Sequence, residues 1–406
     1  MRNKLETLPS LSKDEALRIA YSEGREDLFR TKLFHVERGG ESEKGDSQKQ
    51  VLIIARDPSG GDALAPVMTQ LQQEPSIDMQ IIADGRAEEI FRARLSIKEV
   101  SPTAQGLKTF DVAEKPNLLL ICPSEEPGIE MSAIGTYHEV PSVLIDVYYG
   151  DSLRLLKKIE ERGFPMPAAI CTLDDEAKRI IVETYPALAE RIYITGLPSF
   201  DRFASEDTQS IAEKTRTELG IAPHEKVVVF MGTINITKGT SVELVRAVVA
   251  EFKKIPTPFS FIFRKHPRDN TPYEAYRSII EEVGIRWIDT DQYDTRAIGA
   301  AADMVLTTTS TEGIRAIYRR KPSIHINDVR YQELYPGITL PLPPVKLGAS
   351  AGTEDVAALP GLMEPLFDSQ STAYRDMRHS MESHYPCDGK NAQRVVDVIK
   401  GVLARK

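Results

Sequence analysis

The chain has 406 residues, which at about 150 residues per domain allows two or three domains with sizeable cores. Hydrophobic residues make up 41% and charged residues 27%, which excludes a collagen-like, mucin-like or largely disordered chain. The net charge of −9 argues against nucleic-acid binding, which usually shows a basic excess, and leaves room for a local basic pocket that holds a phosphate.

The longest apolar stretches, such as Asn117–Cys122, fall far short of a membrane span, so no integral membrane segment is expected. No charged segment followed by an apolar one opens the chain, as a signal peptide would require. Cys122, Cys171 and Cys387 are scattered and form neither a disulfide framework nor a CxxC metal site. A cytoplasmic location is the simplest expectation. No HExxH, nucleophile elbow, Walker A loop or clustered metal ligands occur, so no metal site is expected.

In chain order, Ser12-Lys-Asp-Glu15 reads as a capping box that opens a helix to about Arg30. Residues 39–50 are polar and rich in Gly, Ser and Glu, as in a linker. Buried strands are predicted at Val51–Ala55, Met79–Ala83, Asn117–Cys122, Ser142–Val147, Ala168–Thr172 and Arg191–Thr195. Helical patterns separate several of them, including Ser152–Arg162 and Asp175–Tyr185. After a polar stretch holding a helix at Ser210–Leu219, the alternation restarts with strands at Lys226–Met231, Phe259–Arg264, Ile285–Ile288, Met304–Leu306 and Ser323–Ile326. Helices are expected at Thr240–Lys254, Pro272–Val283, Thr295–Ala302 and Thr311–Arg319. Residues 337–365 read as a Pro/Gly-rich loop, and an amphipathic helix at Asn391–Ala404 closes the chain.

Near-continuous apolar strands separated by helices imply parallel sheets covered on both faces. The expectation is therefore an α/β chain with two Rossmann-like domains facing across a cleft. The predicted boundaries are a helical extension and linker at 1–50, a first domain at 51–196, a linker at 197–219 and a second domain at 220–406. Ligands in such sheets bind outside the strand carboxyl ends, so the loops after strands are where chemistry is expected.

Four such loops stand out. Arg56-Asp-Pro-Ser-Gly-Gly-Asp62 carries Gly60 and Gly61, which suit a tight turn and close ligand approach, and Asp62, read as either a general base or a helix N-cap. Met231-Gly-Thr-Ile-Asn-Ile-Thr-Lys-Gly-Thr240 offers Gly232, Thr233 and exposed amides for a phosphate. Phe263-Arg-Lys-His-Pro-Arg-Asp269 places three cations and His266 after a strand, and Pro267 holds His266 extended. Leu306-Thr-Thr-Thr-Ser-Thr-Glu-Gly313 sets Thr309, Ser310 and Thr311 at a helix start, where hydroxyls, first amides and the helix dipole suit anions. Glu312 follows as an acceptor for ribose hydroxyls or a simple capping glutamate. Glu125, Glu126 and Asp146 lie after first-domain strands as further candidate bases. His138 reads as a packed or exposed helix residue.

Taken together, these segments resemble the GT-B superfamily, and within it the UDP-N-acetylglucosamine 2-epimerases, related glycosyltransferases and CDP-glycerol-type transferases. Tyr193-Ile-Thr-Gly-Leu-Pro-Ser-Phe-Asp201 is similar to the V-T-G-N-P-x-x-D segment that ends their first domain. Lys265-His266-Pro267 resembles their HP element, and Asp303–Thr311 with Lys321-Pro322 resembles their phosphate loop. Tyr385–Asp397 resembles the epimerase closing segment G-D-G-x-A-x-x-R-I. The epimerase elements H-G-D-T and V-E-A-G-L-R-T are replaced by Cys122-Pro-Ser-Glu125 and Ile145–Gly150, and P-E-E-x-N-R is not visible.

The resemblance implies a metal-independent glycosyltransferase. It would move a sugar or sugar-like group from a UDP- or CMP/CDP-linked donor to an unknown acceptor, with no tightly bound cofactor. Gly232, Thr233, Lys265, His266, Thr309, Ser310, Thr311 and Glu312 would hold the nucleotide. Leaving-group charge would fall to helix amides and Lys265 or Arg264. Asp62, Glu126 and His266 would carry the catalysis. A nucleotide-sugar epimerase or hydrolase and a non-catalytic nucleotide-sugar-binding module are the alternatives. A homodimer is compatible with all three.

Overall fold

A computed structural model describes residues 32–36, 48–83, 85–100, 115–124, 128–232, 240–266, 269–327 and 341–405. The helix expected at Ser12–Arg30 lies outside these residues. The chain forms two units, Met1–Ser199 with Lys390–Lys406, and Phe200–Gly389.

The first unit is built on strands β1 (Lys32–Val36), β2 (Lys49–Ala55), β3 (Ile77–Ala83), β4 (Ile97–Val100), β5 (Leu118–Ile121), β6 (Ser142–Ile145), β7 (Ala169–Thr172) and β8 (Ile192–Ile194). They form one sheet in the order β4-β1-β3-β2-β5-β6-β7-β8. From β3 to β8 all neighbours run parallel. The apolar runs of β2, β5, β6 and β7 are buried along nearly their whole length, as strands covered on both faces require. Helices α1 (Pro58–Leu71), α2 (Gly85–Arg94), α3 (Gly128–Thr136), α4 (Ser152–Glu161) and α5 (Asp175–Thr184) alternate with these strands. Asp174 caps α5 by accepting from Ala177 N at 2.9 Å.

Sequence reasoning did not find β1 and β4. β1 runs antiparallel to both β3 and β4 at the sheet edge. The domain therefore starts before Val51, and the last two residues of the expected linker, Lys49 and Gln50, open β2.

The second unit contains β9 (Lys226–Met231), β10 (Phe259–Arg264), β11 (Met304–Thr307), β12 (Ser323–Ile326) and β13 (Ala351–Thr353), all parallel, in the order β10-β9-β11-β12-β13. Its helices are α6 (Thr208–Glu218), α7 (Thr240–Glu251), α8 (Tyr273–Glu282), α9 (Thr295–Ala301), α10 (Thr311–Tyr318), α11 (Pro343–Lys346), α12 (Leu359–Phe367) and α13 (Thr372–His384). The predicted strand at Ile285–Ile288 is irregular backbone, although Ile288 is still buried in the core. Within the stretch read as a loop at 337–365, the described residues form α11, β13 and the start of α12.

The last helix, α14 (Asn391–Ala404), packs on the first unit, not on the second as the predicted boundary had it. Asn391 Nδ2 donates to Leu197 O at 3.1 Å, and Arg394 Nε donates to Thr195 O at 2.8 Å. Between these carbonyls, Gly196 adopts φ +73° directly against the Asn391 side chain, so neither the backbone nor the space admits a side chain there. The Tyr193–Asp201 and Tyr385–Asp397 motifs thus meet physically: one supplies bare carbonyls and the other the donors that satisfy them.

Candidate functional site

In the second unit β9 lies between β10 and β11, so the connections leave it in opposite directions. That topological switch point is where open α/β sheets bind ligands, outside the strand carboxyl ends. Arg264 and Thr307 both pair with Met231, which brings the three strand ends level. Gly232, Lys265, His266 and the hydroxyl run from Thr308 therefore emerge side by side. Thr233 lies outside the described residues.

The apposition of β9 and β10 depends on Gly232. Its N–H donates to Arg264 O at 2.7 Å, and a Cβ there would stand 2.9 Å from that oxygen. Arg264 donates to Thr290 O. Lys265 Nζ donates to Thr271 O at 2.7 Å and lies 4.6 Å over the Tyr273 ring. Both cations, expected as anion ligands, are thus committed to bracing the turn. Buried Asp269 completes the brace: its N–H donates to His266 O at 2.8 Å, its Oδ1 accepts from Thr271 N at 2.9 Å, and its Oδ2 accepts from Tyr276 Oη at 2.5 Å. The scaffold role of Asp269 and Tyr276 was not visible in sequence, because the residues that satisfy a buried carboxylate are set by tertiary contact. These bonds tie down the described residues on either side of the turn that carries His266, which is partly exposed.

The hydroxyl run divides into two roles. Thr307 Oγ1 donates to Met231 O at 3.3 Å and ties β11 to β9. Thr308 is buried. Ser310 is the N-cap of α10, its Oγ accepting from Glu312 N at 3.2 Å. Thr309, Ser310 and Thr311 therefore sit at the first turn of an eight-residue helix, where backbone N–H groups and the helix dipole favour an anion. Glu312 pairs with Arg315 one turn along the same helix, so its carboxylate is already matched by charge.

The first-unit candidates are placed differently. α1 starts at Pro58, so Gly60 and Gly61 are buried helix residues rather than a glycine-rich loop. A Cβ on Gly60 would stand 3.1 Å from Cys122 Cβ, and one on Gly61 would stand 3.0 Å from Ala87 Cα. These glycines let α1 approach the sheet and α2. Asp57, not Asp62, holds the N-cap position. Asp62 forms a surface ion pair with Arg94 at 2.7 Å. Such pairs are worth about 0–1 kcal/mol, so Asp62→Asn should leave stability and activity essentially unchanged, as thermal melting and a turnover assay would show. Glu125 and Glu126 lie outside the described residues.

Asp146 is buried, and its carboxylate accepts from Ser152 N (2.7 Å), Ser152 Oγ (2.6 Å) and Gly150 N (3.3 Å). It organises the start of α4. Burial, with Asp151 nearby, pushes it up to about 7 despite these donors. Glu130, on α3, was not singled out in sequence. It is fully buried, and burial pushes it up to about 7 against the donor Ser124 N at 3.1 Å.

No helix among the described residues is long and apolar enough to cross a membrane. A protein-family model described as CDP-Glycerol:Poly(glycerophosphate) glycerophosphotransferase matches residues 170–401, more than half of the chain. No curated protein sequence matches significantly. Among solved structures, the chain is similar to UDP-GlcNAc 2-epimerase from Neisseria meningitidis bound to UDP-GlcNAc (17% identity, 87% of this chain, 100% of that one, TM-score 0.60). It is equally similar to MnaA from S. aureus with UDP (17% identity, 88% and 97% covered, TM-score 0.60). The wall teichoic acid polymerase TagF aligns at 11% identity over 88% of this chain and 90% of that one, with TM-score 0.53. At these identities the structural likenesses establish a shared GT-B-type fold.

Proposed function

The chain belongs to the CDP-glycerol:poly(glycerophosphate) glycerophosphotransferase family, and from that premise we propose that it transfers a glycerophosphoryl-type group from a CDP-linked donor to a hydroxyl-bearing acceptor. The observation that carries the reading is the level meeting of Gly232, His266 and the Thr309–Thr311 helix start at the second-unit switch point.

In this reading the α10 amides and the Ser and Thr hydroxyls cradle the donor diphosphate. His266 offsets the charge that grows on the departing CMP. Arg264, Lys265 and Asp269 hold His266 in place. Charge neutralisation by amides and a side chain lets the transfer run without a divalent metal, so EDTA leaves the rate unchanged.

The more general reading, a nucleotide-sugar transferase, shares the same donor site. The epimerase reading is weaker. Asp146, which replaces the glutamate of the epimerase V-E-A-G element, already accepts three hydrogen bonds from Gly150 and Ser152.

Thermal shift against CDP, CMP, UDP, GDP and ADP tests the donor site, since a ligand that binds the folded state raises the melting temperature by mass action. CDP should give the largest shift. Equal, negligible shifts with all five at millimolar concentration would overturn the donor site.

A further inference from the structure

Beneath the hydroxyl loop lies a histidine that the donor-site reading has not used. His325, on β12, pairs in register with Thr307 on β11 and is fully buried. Its Nδ1 lies 2.7 Å from Thr308 O. A carbonyl only accepts, so Nδ1 carries the proton and donates. Burial pushes the imidazole down to about 4, which keeps it neutral, and Nε2 is left as a bare acceptor with no hydrogen-bond partner. The ring presses on the first turn of α10: a Cβ on Gly313 would stand 2.6 Å from His325 Cε1 and 2.7 Å from Nε2. A glycine at 313 is what admits the ring.

An unmet buried acceptor is costly, and a leucine would fill the volume without it. The imidazole therefore has to be accounted for by its Nδ1–H. In a trans peptide the carbonyl of one residue and the N–H of the next point in opposite directions. By holding the Thr308 carbonyl down toward β12, the imidazole turns the Thr309 N–H away from itself. It also removes a carbonyl oxygen's negative end from the face that an anion would approach.

We propose that His325 is a positioning residue for the anion site, holding the Thr308 carbonyl toward β12 and away from the face that the diphosphate would approach. The inference deepens the donor-site reading and rests on it.

CDP and inorganic pyrophosphate binding to wild type, His325→Leu and His325→Asn tests it, with thermal melting of each variant. His325→Leu should melt close to wild type, because it removes the unmet Nε2 while the buried Thr308 carbonyl loses its donor, yet bind both probes about 10- to 100-fold more weakly. His325→Asn, which keeps an N–H near the Nδ1 position, should recover most of that loss. In a turnover assay the loss should fall on KM and not on kcat. Wild-type affinity in a well-folded Leu variant overturns the positioning role and leaves the donor site standing. Weak binding by the Leu and Asn variants alike also overturns it, because the Nδ1–H donor would then not be what matters. A wild-type protein that binds neither probe overturns the donor site, and this role with it.

Discussion

Replacing His266 by alanine should cut the transfer rate about 100- to 1000-fold, the range seen when a group that stabilises developing charge is removed. The melting temperature should stay within about a degree. His266 is partly exposed, and its backbone is held by the Asp269 N–H to its carbonyl, which alanine keeps. Its basic neighbours behave differently. Lys265 is tied to Thr271 O and stacked on Tyr273, so Lys265→Ala should loosen the turn and lower both stability and rate. The contrast separates a residue proposed to meet substrate from one that holds the turn. A His266→Ala protein that melts normally and turns over at the wild-type rate would remove His266 from the site.

The second large effect concerns the first unit and has the opposite character. Glu130 is buried and pushed from 4.5 up to about 7, and its Oε2 has no partner. A carboxyl whose folded value lies above its unfolded value contributes stability fully below the unfolded value. That contribution is lost as pH rises through the folded one. The window here runs from about 4.5 to 7, and the loss is on the order of 3 kcal/mol.

Glu130→Gln mimics the protonated acid and keeps an acceptor for Ser124 N. At pH 8 it should be more stable than wild type by about 2 kcal/mol, after about 1 kcal/mol for an amide left poorly paired. Near pH 4.5 that advantage should vanish. Urea unfolding at the two pH values reads this directly; a Gln variant that is less stable at pH 8 contradicts it. His325 works in the reverse direction, since its value is lowered to about 4. Its contribution is present above about 6.5 and is lost as pH falls toward 4.

Much of this architecture was legible in the chain, and the reasons differ by element. Lys226–Met231, Phe259–Arg264 and Ser323–Ile326 match their predicted bounds, because a strand buried on both faces has an apolar run that begins and ends with the sheet. β1 and β4 escaped because strands of four or five residues that mix charged and apolar residues carry no such signal. β13 is only three residues long and follows a run of prolines. Ile285–Ile288 shows the converse: an apolar segment can bury Ile288 without pairing to a strand.

For the candidate site, the strand-end rule pointed to the loops that hold Gly232, His266 and Thr309–Thr311, and the pairing of β9, β10 and β11 sets those strand ends level. Pro58-Ser-Gly-Gly misled, because local propensity reads as a loop what the packing of Gly60 on Cys122 and Gly61 on Ala87 makes a helix. His325 was invisible for a related reason. In sequence it is one polar residue in an apolar strand, and its meaning comes only from the neighbouring strand and from Gly313.

The most direct test of the central claim is the release of CMP from CDP-glycerol by the purified wild-type protein, with and without an oligo(glycerophosphate) acceptor, alongside UDP-GlcNAc as a competing substrate. The account predicts acceptor-dependent CMP release and no conversion of UDP-GlcNAc. Turnover of UDP-GlcNAc without an acceptor, together with inert CDP-glycerol, would contradict it.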